Sequence, residues 1–168
     1  MKRNMATVGV VVMLGLGSSP SSGVAQRAAL LAQLVGSWTF VSSNAKLADG
    51  SSQWGVNPTG LLIFTDDGHF SWQVFRSDRP RFASNDRTKG TPAENKATLD
   101  GSLAYFGTYA VDERTRTLIT HIDGSTFPNS HGEEQRRVIT RLTAEELVYV
   151  NPENTLGARV DAVWKRLK

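Results

Sequence analysis

Cysteine is absent from the 168-residue sequence, and histidine occurs only three times. A chain without cysteine has no disulfide scaffold, no cysteine-ligated zinc site and no thiol nucleophile. It also cannot carry an acyl anchor on a lipobox cysteine. The histidines, His69, His121 and His131, lie 52 and 10 residues apart, a spacing that matches no recognised zinc signature. We therefore expect neither a metal site nor a cofactor.

A strong excess of one sign of charge is also missing. The formal net charge is +3, and it falls to +1 if Lys2 and Arg3 are removed with an N-terminal leader that contains no acidic residue. A nearly neutral chain lacks the basic field that drives binding to nucleic acids or anionic membranes. We expect no nucleic-acid partner.

An apolar run long enough to span a membrane is not found at the N-terminus, although a shorter one is. Lys2 and Arg3 precede the apolar run Met5–Leu16, and Gly23-Val24-Ala25 supplies small residues at a cleavage site. A membrane span needs about 20 apolar residues. Residues 1–25 are therefore predicted to be a signal peptide, which leaves one domain over residues 26–168, exported to a periplasm or to the medium and not inserted in a membrane.

The mature chain is dominated by period-two alternation between turn residues, which is typical of short antiparallel strands. The pattern predicts strands at Gly36–Asn44, Gly60–Thr65, His69–Phe75, Tyr105–Val111, Thr117–Asp123, Glu134–Leu142, Glu146–Val150 and Val160–Leu167. Asp66-Asp67-Gly68 predicts a tight hairpin. Short helices are predicted over residues 26–34, as a lid or plug, and after the capping box Thr91-Pro92-Ala93-Glu94.

About eight strands in one domain fit an all-β fold, either a sandwich or a closed barrel. The first and last strands both carry aromatic residues on one face, Trp38 with Phe40 and Trp164 with Arg166. Pairing these strands would close the sheet and remove its exposed edges. We predict an antiparallel up-and-down β-barrel with one or two short helices.

Several motifs resemble the lipocalin-like domain family of bacteria and fungi. They are Leu34-Val35-Gly36-Ser37-Trp38, Asn57-Pro58-Thr59-Gly60, Tyr105-Phe106-Gly107-Thr108-Tyr109, Thr120-His121-Ile122-Asp123-Gly124-Ser125 and the closing Trp164-Lys165-Arg166. The resemblance covers about Leu34 to Leu167 and implies a calycin-type barrel around an apolar cavity. It also implies that Arg166 packs on Trp38 at the closed end. Members often carry two adjacent histidines where this chain has Thr120-His121.

The residues suggest a ligand site, and they leave an enzyme possible. His121 and Asp123 share one face of a strand, as a general base and an orienting carboxylate would, and His121 is expected to line or gate the cavity. In an enzyme, Tyr109 is the other candidate for proton transfer. No Gly-x-Ser-x-Gly elbow and no phosphate-binding glycine loop occur. The candidate ligand-binding residues are His121, Tyr105, Tyr109, Trp72 and Arg137.

Three functions remain open at this point. The leading hypothesis is a non-enzymatic protein that binds a small, largely apolar molecule in its barrel. The alternatives are an isomerase or cyclase that uses His121 in the same cavity, and a filled barrel that contacts another protein through the long loop 76–90. Eight-stranded barrels lie at the size where the interior either fills with side chains or holds one small ligand. The face of each strand that points inward, the ligand's identity and the oligomeric state are left undetermined.

Overall fold

The computed structural model describes residues 30–152 and 157–168 of the chain. The predicted signal peptide lies outside the described residues. The strands form one closed antiparallel barrel in which each strand pairs with its neighbours in the sequence and the last pairs with the first. The strands are β1 (Gly36–Ser43), β2 (Thr59–Phe64), β3 (His69–Phe75), β4 (Ser102–Asp112), β5 (Thr117–Ser125), β6 (Glu134–Leu142), β7 (Glu146–Asn151) and β8 (Val160–Arg166).

Closure of the barrel between β1 and β8 confirms the prediction made from their aromatic residues. Trp38 is paired with Arg166, and Phe40 with Trp164, before a bulge shifts the register near Ser42. The predicted hairpin is also present, because Thr65 and Gly68 close a turn between β2 and β3 in which Gly68 has a φ of 87°. That positive φ suits glycine, which has no Cβ.

The core follows the strand alternation. On β3, Phe70, Trp72 and Val74 are buried, while the residues between them are partly exposed. Trp38 and Trp164 are completely buried at the centre of a single aromatic and aliphatic cluster. Side chains therefore fill most of the barrel interior.

One end of the barrel is closed by a short helical segment over residues 30–34, the described part of the predicted N-terminal helix. Leu30 and Leu34 are buried, and the Trp38 indole Nε1 donates a hydrogen bond to the Leu34 carbonyl oxygen at 2.9 Å. The Arg166 guanidinium lies 4.0 Å from the Trp38 ring centroid. The segment acts as a plug, and the contact implied by the family resemblance is present.

Longer connections gather at the opposite, open end. Helix α1 (Pro92–Asp100) lies in the β3–β4 connection and begins with the predicted capping box, in which Thr91 and Glu94 bond to each other's backbone N–H. A single 3-10 turn (Pro128–Ser130) lies between β5 and β6. Within the described residues, no helix has the length and apolarity needed to cross a membrane.

Candidate functional site

A cavity of about 70 Å³ lies inside the barrel at its open end. Its walls combine aromatic rings with a small number of polar side chains. The lining residues are Phe40, Ser43, Gln53, Trp54, Trp72, Leu103, Tyr105, Ser130, Gln135, Arg137, Tyr149, Asn151, Val160 and Ala162. An apolar cavity with a few placed polar groups is the usual form of a small-molecule site.

Aromatic residues from four strands and one loop form the apolar wall. Trp72 stacks on Tyr105 with ring centroids 4.8 Å apart and planes inclined by 15°. Trp54, from the β1–β2 connection, packs against Trp72 at 5.9 Å. The Trp72 indole Nε1 donates to the Tyr149 hydroxyl at 3.0 Å, which fixes both rings. The wall therefore presents flat apolar surfaces held by hydrogen bonds.

Arg137 supplies the positive charge of the cavity. It is only 4% exposed, and its Nη1 donates to Thr120 Oγ1 at 3.0 Å. Its Nη2 donates to the Tyr105 hydroxyl at 2.9 Å and also to Gln135 Oε1. All three acceptors are neutral side chains, and none of the ion pairs within residues 30–152 and 157–168 involves Arg137.

The two buried phenols of the cavity remain neutral at physiological pH. Burial raises the pKa of Tyr105 far above its ordinary value, against an opposing effect from the Arg137 charge. Burial likewise raises the pKa of Tyr149. Each hydroxyl accepts a hydrogen bond and keeps its own proton, so each is a donor available to a guest molecule.

Below this layer the barrel is nearly solid. A second void of about 10 Å³ lies deeper in the interior, lined by apolar residues together with Thr120, Arg137 and Tyr149. That volume holds at most a single water molecule. Arg137 therefore marks the floor of the cavity.

The structure brings together three of the predicted ligand-binding residues, Trp72, Tyr105 and Arg137, around the cavity. Tyr109 lies apart from them, towards the closed end. Its hydroxyl donates to the Thr65 carbonyl oxygen at 2.8 Å, and its ring packs against Phe64 at 4.8 Å. Tyr109 therefore supports the hairpin between β2 and β3 instead of lining the cavity.

The prediction that His121 lines or gates the cavity is wrong. The inward positions of β5 are Leu118, Thr120 and Ile122, so the alternation of the strand turns His121 outward, with 55% of its side chain exposed. Asp123 lies on the same outer face, 3.7 Å from the imidazole Nε2. The pair expected from the sequence is present, but it is on the outer surface, where it cannot exchange protons with a guest in the cavity.

Gly107 shows why β4 and β5 are so close at this point. A Cβ at Gly107 would collide with the carbonyl oxygen of His121. The space beside this glycine, which could have received a ligand, is occupied by the backbone of the neighbouring strand. Gly107 thus permits a close strand contact beside a register shift at Phe106.

Most of the lining residues were missed by the sequence analysis, among them Trp54, Gln135 and Tyr149. Trp54 lies in a connection without periodicity, and nothing in its neighbours indicates where it folds back. Gln135 lies two residues before Arg137 on β6 and shares its face. Its inward position could therefore have been predicted once one inward residue of that strand was known. Tyr149 lies two residues after the apolar Leu147 on β7, so the alternation of the strand could have placed both side chains inside.

A closed eight-stranded up-and-down barrel with an aromatic cavity at one end defines a β-barrel of the lipocalin type. The sequence model of the lipocalin-like domain family matches residues 35–167. The chain therefore belongs to the lipocalin-like domain family. No curated protein matches the chain.

Solved structures are similar to this chain at low sequence identity. A lipocalin-like protein from Bacteroides uniformis is 15% identical, with a TM-score of 0.45, over 80% of this chain and 99% of that chain. Bovine odorant binding protein complexed with its natural ligand is 13% identical, with a TM-score of 0.42, over 81% of this chain and 72% of the bovine chain. The same bovine protein with a selenium-containing odorant is 14% identical, with a TM-score of 0.41, over 82% and 73% of the two chains.

Proposed function

We propose that this protein binds a small, largely apolar molecule in the cavity at the open end of its barrel. The observation that carries the proposal is the cavity itself, in which stacked Trp72 and Tyr105 face a buried Arg137. Aromatic walls with a few oriented polar groups are suited to a guest that is bound mainly through apolar contact.

The size of the cavity limits the guest. Pockets for drug-sized ligands measure roughly 300–1,000 Å³, whereas this cavity measures about 70 Å³. A molecule of a few heavy atoms fits the cavity without rearrangement. A larger guest requires Trp54 to leave its place on Trp72, and its location in the long β1–β2 connection makes it the most readily displaced part of the wall.

The first experiment is native mass spectrometry of the protein purified from its own host, to detect a co-purifying small molecule. The second is titration with small neutral aromatics, benzene, indole and naphthalene, followed by intrinsic tryptophan fluorescence and calorimetry. Ala162→Leu adds bulk inside the cavity, because Ala162 lines it, and is expected to abolish binding. Ala110→Leu adds the same bulk on the exposed outer face of β4 and is the matched control.

Equal binding by the two alanine variants would contradict the proposal. No bound molecule and no probe binding would also contradict it, and would favour the filled barrel that contacts another protein. Within the described residues, both candidate groups of the isomerase or cyclase alternative lie away from the cavity: His121 is on the outer surface, and Tyr109 bonds to the Thr65 carbonyl oxygen.

Export is part of the same proposal. Cleavage after Ala25 would remove the charged and apolar leader while leaving the plug residues Leu30 and Leu34 with the barrel. N-terminal sequencing of protein recovered outside the cytoplasm is expected to begin at or near Gln26. Recovery of the full-length chain from the cytoplasm of its native host would contradict export and leave the binding proposal standing.

A further inference from the structure

The buried guanidinium of Arg137 has no carboxylate to balance it among the described residues. Of the described residues that line the cavity, none is acidic. Arginine stays protonated in proteins, and an uncompensated buried charge is costly. The neutral partners Thr120, Tyr105 and Gln135 solvate this charge without neutralising it.

Other polar groups near Arg137 also offer donors. The hydroxyl of Tyr105 accepts from Arg137, and the hydroxyl of Tyr149 accepts from Trp72, so each phenol has its own proton left to donate. The guanidinium carbon lies 5.8 Å and 5.6 Å from the centroids of these two rings. One charged and two neutral donors are therefore gathered at the floor of the cavity.

We infer that the cavity selects small monocarboxylates with an apolar body, whose carboxylate pairs with Arg137 while the body lies against Trp72 and Trp54. This inference rests on the proposed function and adds the chemical class of the guest. A carboxylate can accept two parallel N–H bonds from a guanidinium, an arrangement that a neutral ligand cannot match. Gln135, which is only half-buried, is the partner that such a guest displaces from Arg137.

The test compares acids with their neutral amides. Two pairs of probes, benzoate with benzamide and hexanoate with hexanamide, are titrated by calorimetry at neutral pH. The protein titrated is the chain that begins at Gln26. We expect each acid to bind at least tenfold more tightly than its amide. Equal affinity within a pair overturns the inference and leaves the proposed cavity function intact, whereas loss of binding by all four probes and by the neutral aromatics overturns both.

Variants locate the preference on one residue. Arg137→Met is expected to remove the preference for acids, and Arg137→Lys to retain only part of it, because lysine keeps the charge without the planar fork. Arg136→Met is the matched control, since Arg136 lies on the same strand, points outward and pairs with Glu134. A preference for acids that survives Arg137→Met, or that Arg136→Met removes, overturns the assignment.

Two further variants keep the test decisive if Arg137→Met does not fold or if the cavity is too small for the probes. If Arg137→Met does not fold, Tyr105→Phe removes one donor while keeping the stacked ring, and is expected to reduce the acid-to-amide ratio several-fold. Trp54→Ala enlarges the cavity by removing part of its wall. If the probes fail to bind the original chain because the cavity is too small, they are expected to bind this variant, and its preference for acids can then be measured. Equal affinities for acid and amide in Trp54→Ala would also overturn the inference.

Discussion

Each end of the barrel contains an arginine beside aromatic rings, and the two arginines are held by different kinds of partner. At the closed end, the Arg166 guanidinium lies over Trp38 and donates to the main-chain carbonyl oxygens of Val35, Ala144 and Gln33. At the open end, the acceptors of Arg137 in the described part of the chain are side-chain oxygens, those of its three neutral partners. Carbonyl oxygens of the backbone are fixed by the fold, whereas side-chain oxygens can be exchanged for those of a guest.

The tryptophans show the same contrast. Trp38 is fully buried beneath the plug, and its indole N–H bonds to backbone. Trp54 is 6% exposed, and it reaches the cavity from a long connection. Burial alone therefore does not distinguish a structural tryptophan from one that serves the site; the element that carries the side chain does.

The largest effect is expected from Trp38→Ala at the closed end. Truncating a buried tryptophan costs about 3–5 kcal/mol, since the apolar contacts are lost and a cavity remains. Here Arg166 loses its ring partner as well. Urea unfolding is expected to show a loss of this size, and an unchanged midpoint would mean that the plug does not stabilise the barrel.

Alkaline pH is expected to destabilise the open end through its phenols. The folded pKa of Tyr105 and of Tyr149 is raised by burial, so the stability they contribute is fully present below the ordinary tyrosine pKa of 10.0 and is lost as pH rises above it. One pH unit above that value, ionisation of Tyr105 in the unfolded chain lowers the free energy of unfolding by about 1.4 kcal/mol, and Tyr149 acts in the same direction. Unfolding measured against pH should show this slope, and Tyr149→Phe should reduce it; a stability independent of pH in this range would contradict the burial of the phenols.

The same substitution is expected to affect stability more at Arg166 than at Arg137. Arg166→Met leaves three main-chain carbonyls without their donor, and should lower the free energy of unfolding by about 2 kcal/mol. Arg137→Met removes a buried charge that has no acidic partner within residues 30–152 and 157–168, and should change stability by less than about 1 kcal/mol in either direction. Chemical denaturation of both variants side by side checks the contrast, which fails if Arg137→Met is the more damaging.

Trp54→Ala is expected to cost less than Trp38→Ala although both residues are buried. The connection that carries Trp54 can relax into the space, so we expect a loss of about 1–2 kcal/mol. Affinity for naphthalene should rise relative to benzene, because the entrance is wider. Equal losses of stability for the two tryptophan variants would remove the distinction between the two ends.

His121→Ala is expected to have the smallest effect. The imidazole is on the outer surface, where substitutions usually change stability by less than about 0.5 kcal/mol. Probe affinity should also be unchanged by this substitution. A change in affinity would show that the outer face of β5 communicates with the cavity.

Much of the fold could be predicted because local rules and the global structure agree. The hairpin at Gly68, the capping box at Thr91 and the pairing of Trp38 with Arg166 each follow from residue types at fixed positions. The site was harder, because a strand fixes which residues share a face and leaves open which face is inside. On β5, Ile119 is as apolar as Leu118 and Ile122, so hydrophobicity alone did not orient the strand. The position of Trp54 depends on the path of the long β1–β2 connection, and the sequence of that connection has no periodic pattern that predicts its path.

The pairing of β1 with β8 has a consequence for the order in which the chain can fold. The bond from Arg166 to Val35 joins residues 131 positions apart, so the first strand stays without one of its two partners until the last strand has been synthesised. Bringing such distant segments together costs about 4 kcal/mol of free energy from lost chain entropy, and this cost precedes the stabilising contacts. All-β domains typically fold in milliseconds to seconds. During that interval the unpaired edges of β1 and β8 are open to other chains, which makes final closure the step most exposed to misassembly.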